Sequence, residues 1–265
     1  MILLNVREDL EVFSFIFGAV IGSFLNVLIS RLPLNKSIVT PRSFCPSCKH
    51  TISWYYNIPL FSYIFLKAKC AYCKIKIPTQ YFIVELITAI LTLSLYLKLG
   101  LVYELIYMLL FVYTLITLSF IDFKYKAVPD YLLLIALILS FFASSFNIIE
   151  SFKNAFLFSG ALVLLNFVIT FYIQNIKSRI LKDDTLKTQE ALGEGDIPII
   201  ASIAIILGIK GALIAIFLAA FFAIIPSLYS NLVKKDIQTA FIPYLVLGLI
   251  IEYFFNLESF LKVIY

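Results

Sequence analysis

Residues 101–124, LVYELIYMLLFVYTLITLSFIDFK, decide the fold class of this chain. A helix needs about 20 apolar residues to cross a hydrocarbon core of roughly 30 Å at about 1.5 Å per residue. The apolar run 101–121 within this stretch has that length. Of all 265 residues, 62% are hydrophobic and only 14% are charged, a composition typical of membrane proteins. Because backbone polar groups inside a bilayer must be satisfied within helices, we predict an all-α polytopic membrane protein.

Further apolar runs of similar length lie at 12–32, 81–98, 131–148 and 155–173. The stretch 197–233 is apolar as well, but Lys210 and Gly211 interrupt it, and a last run covers about 237–257. Splitting the long stretch at Lys210 predicts about eight transmembrane helices. The sixth, 197–209, is short and must be sheltered by its neighbours. Acidic residues outnumber basic ones ahead of the first run, so we expect a retained helix rather than a signal peptide.

The basic residues predict the orientation, because Lys and Arg accumulate in cytoplasmic loops. With the N-terminus outside and eight spans, 16 of the 21 basic residues fall on the cytoplasmic side. A single span over 197–233 would move Lys234 and Lys235 outside, so the charges favour the split. The same distribution accounts for the net charge of +5 without nucleic acid, since the basic residues lie between apolar runs rather than on a soluble face. The predicted location is the cytoplasmic (inner) membrane, with the lipid bilayer as a partner.

Three domains are predicted: a first transmembrane helix over 1–32, a small cytosolic insertion over 33–80, and a transmembrane domain over 81–265. The insertion contains all four cysteines as two CxxC pairs, Cys45-Pro-Ser-Cys48 and Cys70-Ala-Tyr-Cys73, with 21 residues between the pairs. This spacing is typical of zinc knuckles, and a reducing cytosol disfavours disulfides. We predict structural zinc, because four thiolates leave no open position for a catalytic water. An apo fold and a redox role are the alternatives, and His50 is a possible substitute ligand.

Two aspartates lie at predicted cytoplasmic membrane boundaries although they are far apart in sequence. Asp122 ends the third span, and Asp196 opens the sixth in Gly193-Glu-Gly-Asp196. Two juxtaposed carboxylates can hydrolyse a peptide, because one takes a proton from water while the other, protonated, polarises the carbonyl. Capping of its own helix is an alternative role for Asp196 and the expected role of Asp130. Asp122 lacks that explanation, since it would face the negative end of its helix dipole.

Other residues are candidates for binding substrate or cofactor. Gly193 and Gly195 leave room beside Asp196 for a substrate backbone. Glu85, inside the second span, could bind substrate or pair with a basic loop residue. Asn26 belongs to a small and polar stripe formed by Gly18, Gly22, Asn26 and Ser30, which close helix packing explains as well as a site does.

These motifs, taken in order, resemble those of the type IV prepilin peptidases, also called leader peptidase and N-methyltransferase. The resemblance covers most of the chain, and the residues that carry it are Gly22-Ser-Phe-Leu-Asn-Val27 with Arg31-Leu-Pro33, Cys45-Pro-Ser-Cys48, Trp54-Tyr55, Asn57-Ile-Pro59, Lys69-Cys70 with Cys73, Val84-Glu85-Leu86, Ile121-Asp122, Val128-Pro-Asp130 and Gly193-Glu-Gly-Asp196.

The resemblance implies a membrane endopeptidase that cleaves prepilin or pseudopilin precursors after a glycine at the cytosolic face. It implies that Asp122 and Asp196 are the catalytic residues and that S-adenosylmethionine then methylates the new amino terminus. It also associates the cysteine domain with methylation. Two departures concern substrate range and rate: Pro198 stands where the family usually has lysine, and the usual C-terminal motif is reduced to Ile242-Pro243-Tyr244.

Two other functions are compatible with the composition. An ion-coupled transporter could use Asp122, Asp196 and Glu85 as proton or cation ligands, but the sequence has no paired halves with matching broken helices. A non-enzymatic scaffold with a zinc module would leave the deep aspartates unexplained.

Overall fold

The computed structural model describes residues 2–181, 193–229 and 240–264. Residues 182–192, which lie between the fifth and sixth predicted spans, and the basic residues Lys234 and Lys235 are outside these ranges. The helices of the described residues are α1 (Ile2–Arg31), α2 (Phe61–Phe65), α3 (Thr79–Leu99), α4 (Tyr103–Tyr125), α5 (Asp130–Ala143), α6 (Ile148–Phe171), α7 (Ser178–Leu181), α8 (Asp196–Tyr229), α9 (Ile242–Phe255) and α10 (Leu257–Ile264). The only β structure in this part of the chain is two isolated bridges, so the all-α prediction is confirmed.

Five helical segments are long and apolar enough to cross a membrane, and they contain α1, α3, α4, α6 and α8. Helices α5 and α9 are equally apolar but have 14 residues each. Together these helices make the chain a multi-pass membrane protein. The count of eight spans remains a prediction.

Helix α8 has 34 residues, which at about 1.5 Å per residue is much longer than one bilayer crossing requires. Its backbone leaves the helical conformation at Gly208, where φ is 72° and ψ is −176°. The predicted break at Lys210 is therefore wrong in position by two residues. The reason is steric, because this backbone conformation is open to glycine, whereas Lys210 itself is helical.

The contacts divide the chain into two compact units, residues 1–121 and 122–265. In the first unit α1 packs directly on α3. A Cβ on Gly18 would lie 2.6 Å from Thr92 Oγ1, and a Cβ on Gly22 would lie 2.7 Å from Glu85 Cα. These two glycines therefore allow the helices to approach closely, as the packing interpretation of the stripe predicts. Tyr113 of α4 is joined to Thr92 by a hydrogen bond of 2.8 Å.

In the second unit α8 packs against α5, α6 and α9. Its first half is buried on most sides, with Ile199, Ile203 and Ile205 fully enclosed. Helix α9 approaches α8 through Gly248, where a Cβ would overlap the carbonyl oxygen of Ala215. The first turn of α8 therefore leads into a half that is packed against neighbouring helices, and Asp196 is the first residue of that turn.

Candidate active site and metal centre

Asp122 lies in the last turn of α4 and belongs to the second unit. Its side chain is only 8% exposed, and its Oδ2 accepts a hydrogen bond of 3.1 Å from the backbone N–H of Ile242, the first residue of α9. The N-terminus of a helix carries unsatisfied N–H groups and a partial positive charge. The carboxylate therefore has a favourable partner in α9 that its own helix does not supply.

Asp196 lies close enough to Asp122 for their charges to repel, although 74 residues separate them in the sequence. The two carboxyl groups and Ile242 belong to the same unit. Asp130, by contrast, is exposed as the first residue of α5. The predicted capping role of Asp130 is wrong, because Pro129 is the N-cap residue of α5 and no side-chain capping hydrogen bond forms there. The arrangement gives two neighbouring carboxyl groups a shared, partly buried environment, which is what proton sharing requires.

The two glycines ahead of Asp196 have different surroundings. A Cβ on Gly193 would lie 3.4 Å from Asp196 Oδ2, so the missing side chain leaves space beside the carboxylate. A Cβ on Gly195 would instead lie 3.2 Å from Val128 Cγ2 and 3.5 Å from Leu133 Cδ1. Gly193 is thus next to the carboxylate, whereas Gly195 allows the turn to pack on its neighbours.

The four cysteines Cys45, Cys48, Cys70 and Cys73 form one cluster whose Sγ atoms all lie within 4.8 Å of one another. None is disulfide-bonded, and Cys45 Sγ lies 3.8 Å from Cys73 Sγ. Four thiolates at about 2.3 Å from a tetrahedral zinc ion have their sulfurs about 3.8 Å apart. The cluster can therefore hold a metal ion.

Each knuckle has the same backbone design. Lys49 N donates to Cys45 O and Cys45 N to His50 O, while Lys74 N donates to Cys70 O and Cys70 N to Ile75 O. The residue after each second cysteine has a positive φ, 60° in Lys49 and 59° in Lys74. Backbone N–H groups of Cys73 and Tyr72 lower the pKa of Cys70 to about 7. The pKa of Cys73, which the backbone of Ile75 lowers, is raised overall to about 11 by burial and by the three neighbouring thiols, so Cys70 is the easier of these two thiols to ionise without a metal.

His50 does not belong to the cysteine cluster. Its ring lies against that of Tyr72, with 3.7 Å between the centroids. The four sulfurs therefore form the donor set without the histidine.

Glu85 and Asn26 face a pocket in the first unit. Glu85 is buried, and its Oε2 accepts a hydrogen bond of 2.8 Å from the backbone N–H of Leu60 in the insertion. Asn26 is 2% exposed and donates from Nδ2 to Tyr81 O at 3.0 Å. Both residues line a cavity of about 760 Å³.

One further buried carboxylate is not among the site residues predicted from the sequence. Glu252 of α9 accepts hydrogen bonds from Leu257 N at 3.2 Å and Glu258 N at 3.1 Å. It therefore caps α10, a structural role. The available signal was an acidic residue inside the apolar run 237–257.

Comparison with known proteins covers both units. Residues 16–99 match the Bacterial Peptidase A24 N-terminal domain, and residues 109–228 match the Type IV leader peptidase family. A prepilin leader peptidase/N-methyltransferase of Vibrio cholerae is 30% identical over 203 residues, which are 74% of this chain and 76% of that protein.

Two further relatives have the same name. The Bacillus subtilis protein is 29% identical over 246 residues, covering 91% of this chain and 93% of that protein. The Myxococcus xanthus protein is 42% identical over 118 residues, covering 44% of this chain but only 35% of that protein. No solved structure matches the chain. The comparisons favour the peptidase over the transporter.

Proposed function

The chain belongs to the type IV leader peptidase family, and on that premise we propose that it is an inner-membrane aspartic endopeptidase. Its substrates are type IV prepilins or the precursors of the pseudopilins of type II secretion. The observation that carries the proposal is that the Asp122 carboxylate, which accepts the first N–H of α9, lies within the range of charge repulsion of Asp196.

In the proposed mechanism the two carboxyl groups share one proton. The ionised carboxylate takes a proton from water, and the resulting hydroxide attacks the carbonyl carbon of the scissile peptide. The protonated partner donates its proton to the carbonyl oxygen. When the tetrahedral intermediate collapses, the C–N bond breaks, and the carboxyl group that took the proton from water gives it to the leaving nitrogen. The other carboxylate recovers its proton from a hydroxyl of the intermediate, so the pair again holds one proton. The products are the leader's carboxylate and a pilin with a new amino terminus, and no covalent enzyme intermediate forms.

The space next to Gly193 supports this role for Asp196, because a substrate backbone can approach the carboxylate there. Ile242 N–H donates a hydrogen bond to Asp122 Oδ2, and the backbone of Phe241 is a second partner of the same carboxylate, so both hold Asp122 at the N-terminus of α9. Residues 81–265 would carry the peptidase reaction, and 33–80 would form the cytosolic domain between the first two of eight spans.

Zinc in the cysteine cluster is proposed as structural. Cys45, Cys48, Cys70 and Cys73 would hold it, and the bound ion would cross-link the two knuckles without an open coordination position. The relatives' name also supports a second activity, N-methylation of the new amino terminus with S-adenosylmethionine as methyl donor.

The test is to incubate the purified full-length chain, in detergent, with a purified prepilin precursor. Mass spectrometry should detect the free leader, the mature pilin and, after S-adenosylmethionine is added, a pilin heavier by one methylene unit. An intact precursor after prolonged incubation with a chain that is shown to be folded would refute the peptidase function.

A further inference from the structure

Helix α2 of the insertion turns its apolar side chains outward. Phe61, Ile64 and Phe65 have the spacing i, i+3 and i+4, so they lie on one face of α2, and they are 75%, 64% and 88% exposed. Ser62 and Tyr63, which carry hydroxyl groups, are half-buried. A helix that faces water has the opposite arrangement, with its polar side chains outside. The outer face of α2 therefore indicates an apolar partner.

A further exposed aromatic side chain lies near α2. Trp54 begins the short helix over 54–57, and its side chain is 76% exposed. That helix is joined to α2 by a hydrogen bond of 3.2 Å from the Ser62 hydroxyl to the carbonyl oxygen of Tyr55. Large apolar side chains that are exposed as a group, rather than singly, mark an interaction site. We call this group the apolar face of the insertion, and its members are Trp54, Phe61, Ile64 and Phe65.

Helix α2 is held against the first two turns of α3. Leu60, which directly precedes α2, donates its N–H to Glu85 Oε2 at 2.8 Å. Within α2 the ring of Tyr63 stacks on the ring of Phe82, with 5.2 Å between the centroids. These two contacts, one by the backbone and one by a side chain, fix the position of α2 along the axis of α3.

The length of α3 gives the depth of these contacts in the bilayer. Helix α3 has 21 residues, which at about 1.5 Å per residue is just enough to cross a hydrocarbon core of roughly 30 Å. Phe82 and Glu85 lie three and six residues after the first residue of α3, or roughly 4.5 and 9 Å along its axis. Interfacial helices bury their apolar faces by a similar depth, about 5–10 Å into the boundary between headgroups and acyl chains.

The charges of the insertion favour an anionic membrane surface. Residues 33–80 contain seven basic residues and no acidic one. Basic residues next to a transmembrane helix are attracted to the anionic lipids of the cytoplasmic leaflet, which is the side predicted for this insertion. Tryptophan is also common at membrane surfaces, because its ring is apolar and its N–H is polar. At the depth of α2 lipid is already present, so no additional protein is needed to cover the exposed side chains.

We propose that the apolar face of the insertion enters the anionic cytoplasmic leaflet and holds the insertion against the membrane. The partner is therefore the lipid bilayer itself, contacted by a segment that does not span it. This contact is independent of prepilin cleavage, because it depends only on the described residues of the first unit and on the lipid.

Trp54 is the only tryptophan of the chain, so its fluorescence reports the environment of this face directly. The full-length chain is placed in nanodiscs that contain phosphatidylglycerol, with no prepilin present. Lipids that carry a doxyl group near the headgroup should quench Trp54, and dissolved acrylamide should have little effect. In the variant that combines Phe61→Glu with Phe65→Glu, doxyl quenching should fall and acrylamide quenching should rise several-fold, because carboxylates are unfavourable among acyl chains.

The matched control combines Ile38→Glu with Val39→Glu. Ile38 and Val39 are 39% and 78% exposed and lie in the same insertion but outside the two short helices, so this variant adds the same charge elsewhere. It should be quenched like wild type. Equal loss of doxyl quenching in the control would overturn the proposal, because added charge alone would then explain the effect.

The measurement on wild type involves no substitution, so no folding defect can disturb it. Strong acrylamide quenching of wild-type Trp54, or the absence of doxyl quenching, would overturn the proposal. Protection from acrylamide that develops only after prepilin is added would overturn it as well, and would assign the apolar face to the pilin.

Discussion

Replacement of each aspartate by asparagine tests whether Asp122 and Asp196 act as one catalytic unit. The Asp122→Asn side chain would keep a carbonyl oxygen that can accept the hydrogen bond from Ile242 N–H, so only the charge-assisted part of that bond is lost. This should lower the free energy of unfolding by about 1 kcal/mol. The variant should therefore remain folded while it lacks a carboxyl group that hydrolysis requires.

The expected loss of activity is much larger than the loss of stability. A positioned general acid or base contributes up to about 10⁴-fold in rate, which corresponds to about 5.4 kcal/mol of transition-state stabilisation. Independent groups would add, so the double variant would then lose about 11 kcal/mol. Two carboxyl groups that share one proton do not add, so Asp122→Asn, Asp196→Asn and the double variant should each lose about the same 5 kcal/mol.

The assay is the initial rate of prepilin cleavage by each purified variant, with thermal unfolding measured on the same samples. Asp130→Asn is the matched control, because it makes the same chemical change at an exposed residue in the first turn of α5. It should keep activity within about threefold, since surface substitutions rarely change stability by more than about 0.5 kcal/mol. Activity within tenfold of wild type in either folded single variant would refute the dyad.

Three other outcomes follow from the site and the packing. Metal analysis of the purified chain should find one zinc per molecule, and absence of zinc would contradict the proposed metal site. Cys48→Ser should lower the folded yield and the methylation rate more than it lowers the cleavage rate per folded molecule. A reporter fused after Lys76 should be cytoplasmic and one at the C-terminus periplasmic, whereas the opposite pair of results would reverse the topology. Gly22→Val should destabilise the chain by roughly 1–3 kcal/mol in thermal unfolding, because the added Cβ would meet the backbone of Glu85. The control Gly160→Val should cost less than about 1 kcal/mol, because Gly160 has open space around it.

Features that depend on local composition could be predicted from the sequence. The apolar runs determine the helices, because a bilayer leaves the backbone few other ways to satisfy its polar groups. The two CxxC motifs each bend two thiolates toward one point, and the structure brings all four sulfurs together. The sequence predicts the break in α8 at Lys210, two residues after its position at Gly208. A charge is conspicuous in the sequence, whereas the backbone turns where glycine permits a positive φ.

Partners that are backbone groups could not be predicted. Glu85 accepts a hydrogen bond from the N–H of Leu60, 25 residues earlier, which is a partner other than the substrate or basic side chain that the sequence suggests. No side-chain pattern indicates such a donor. Asn26 shows the same limitation, since the carbonyl groups of Tyr81 and Gly22 that fix its amide depend on how α1 packs against α3.

Asp122 is a residue that the sequence indicates but whose backbone partner the sequence could not predict. The sequence nominated it because a carboxylate at the end of its own helix meets the unfavourable end of the dipole, so the residue had no evident structural purpose. The structure supplies a compensating partner from another element, the first N–H of α9, 120 residues later in the chain. That contact stabilises the carboxylate. A residue that only capped α9 would not need a second carboxyl group within the range of charge repulsion, and Asp196 at the start of α8 lies within that range. The pair is therefore better explained by proton sharing than by capping, and the asparagine variants distinguish the two explanations because asparagine preserves the cap and removes the acid.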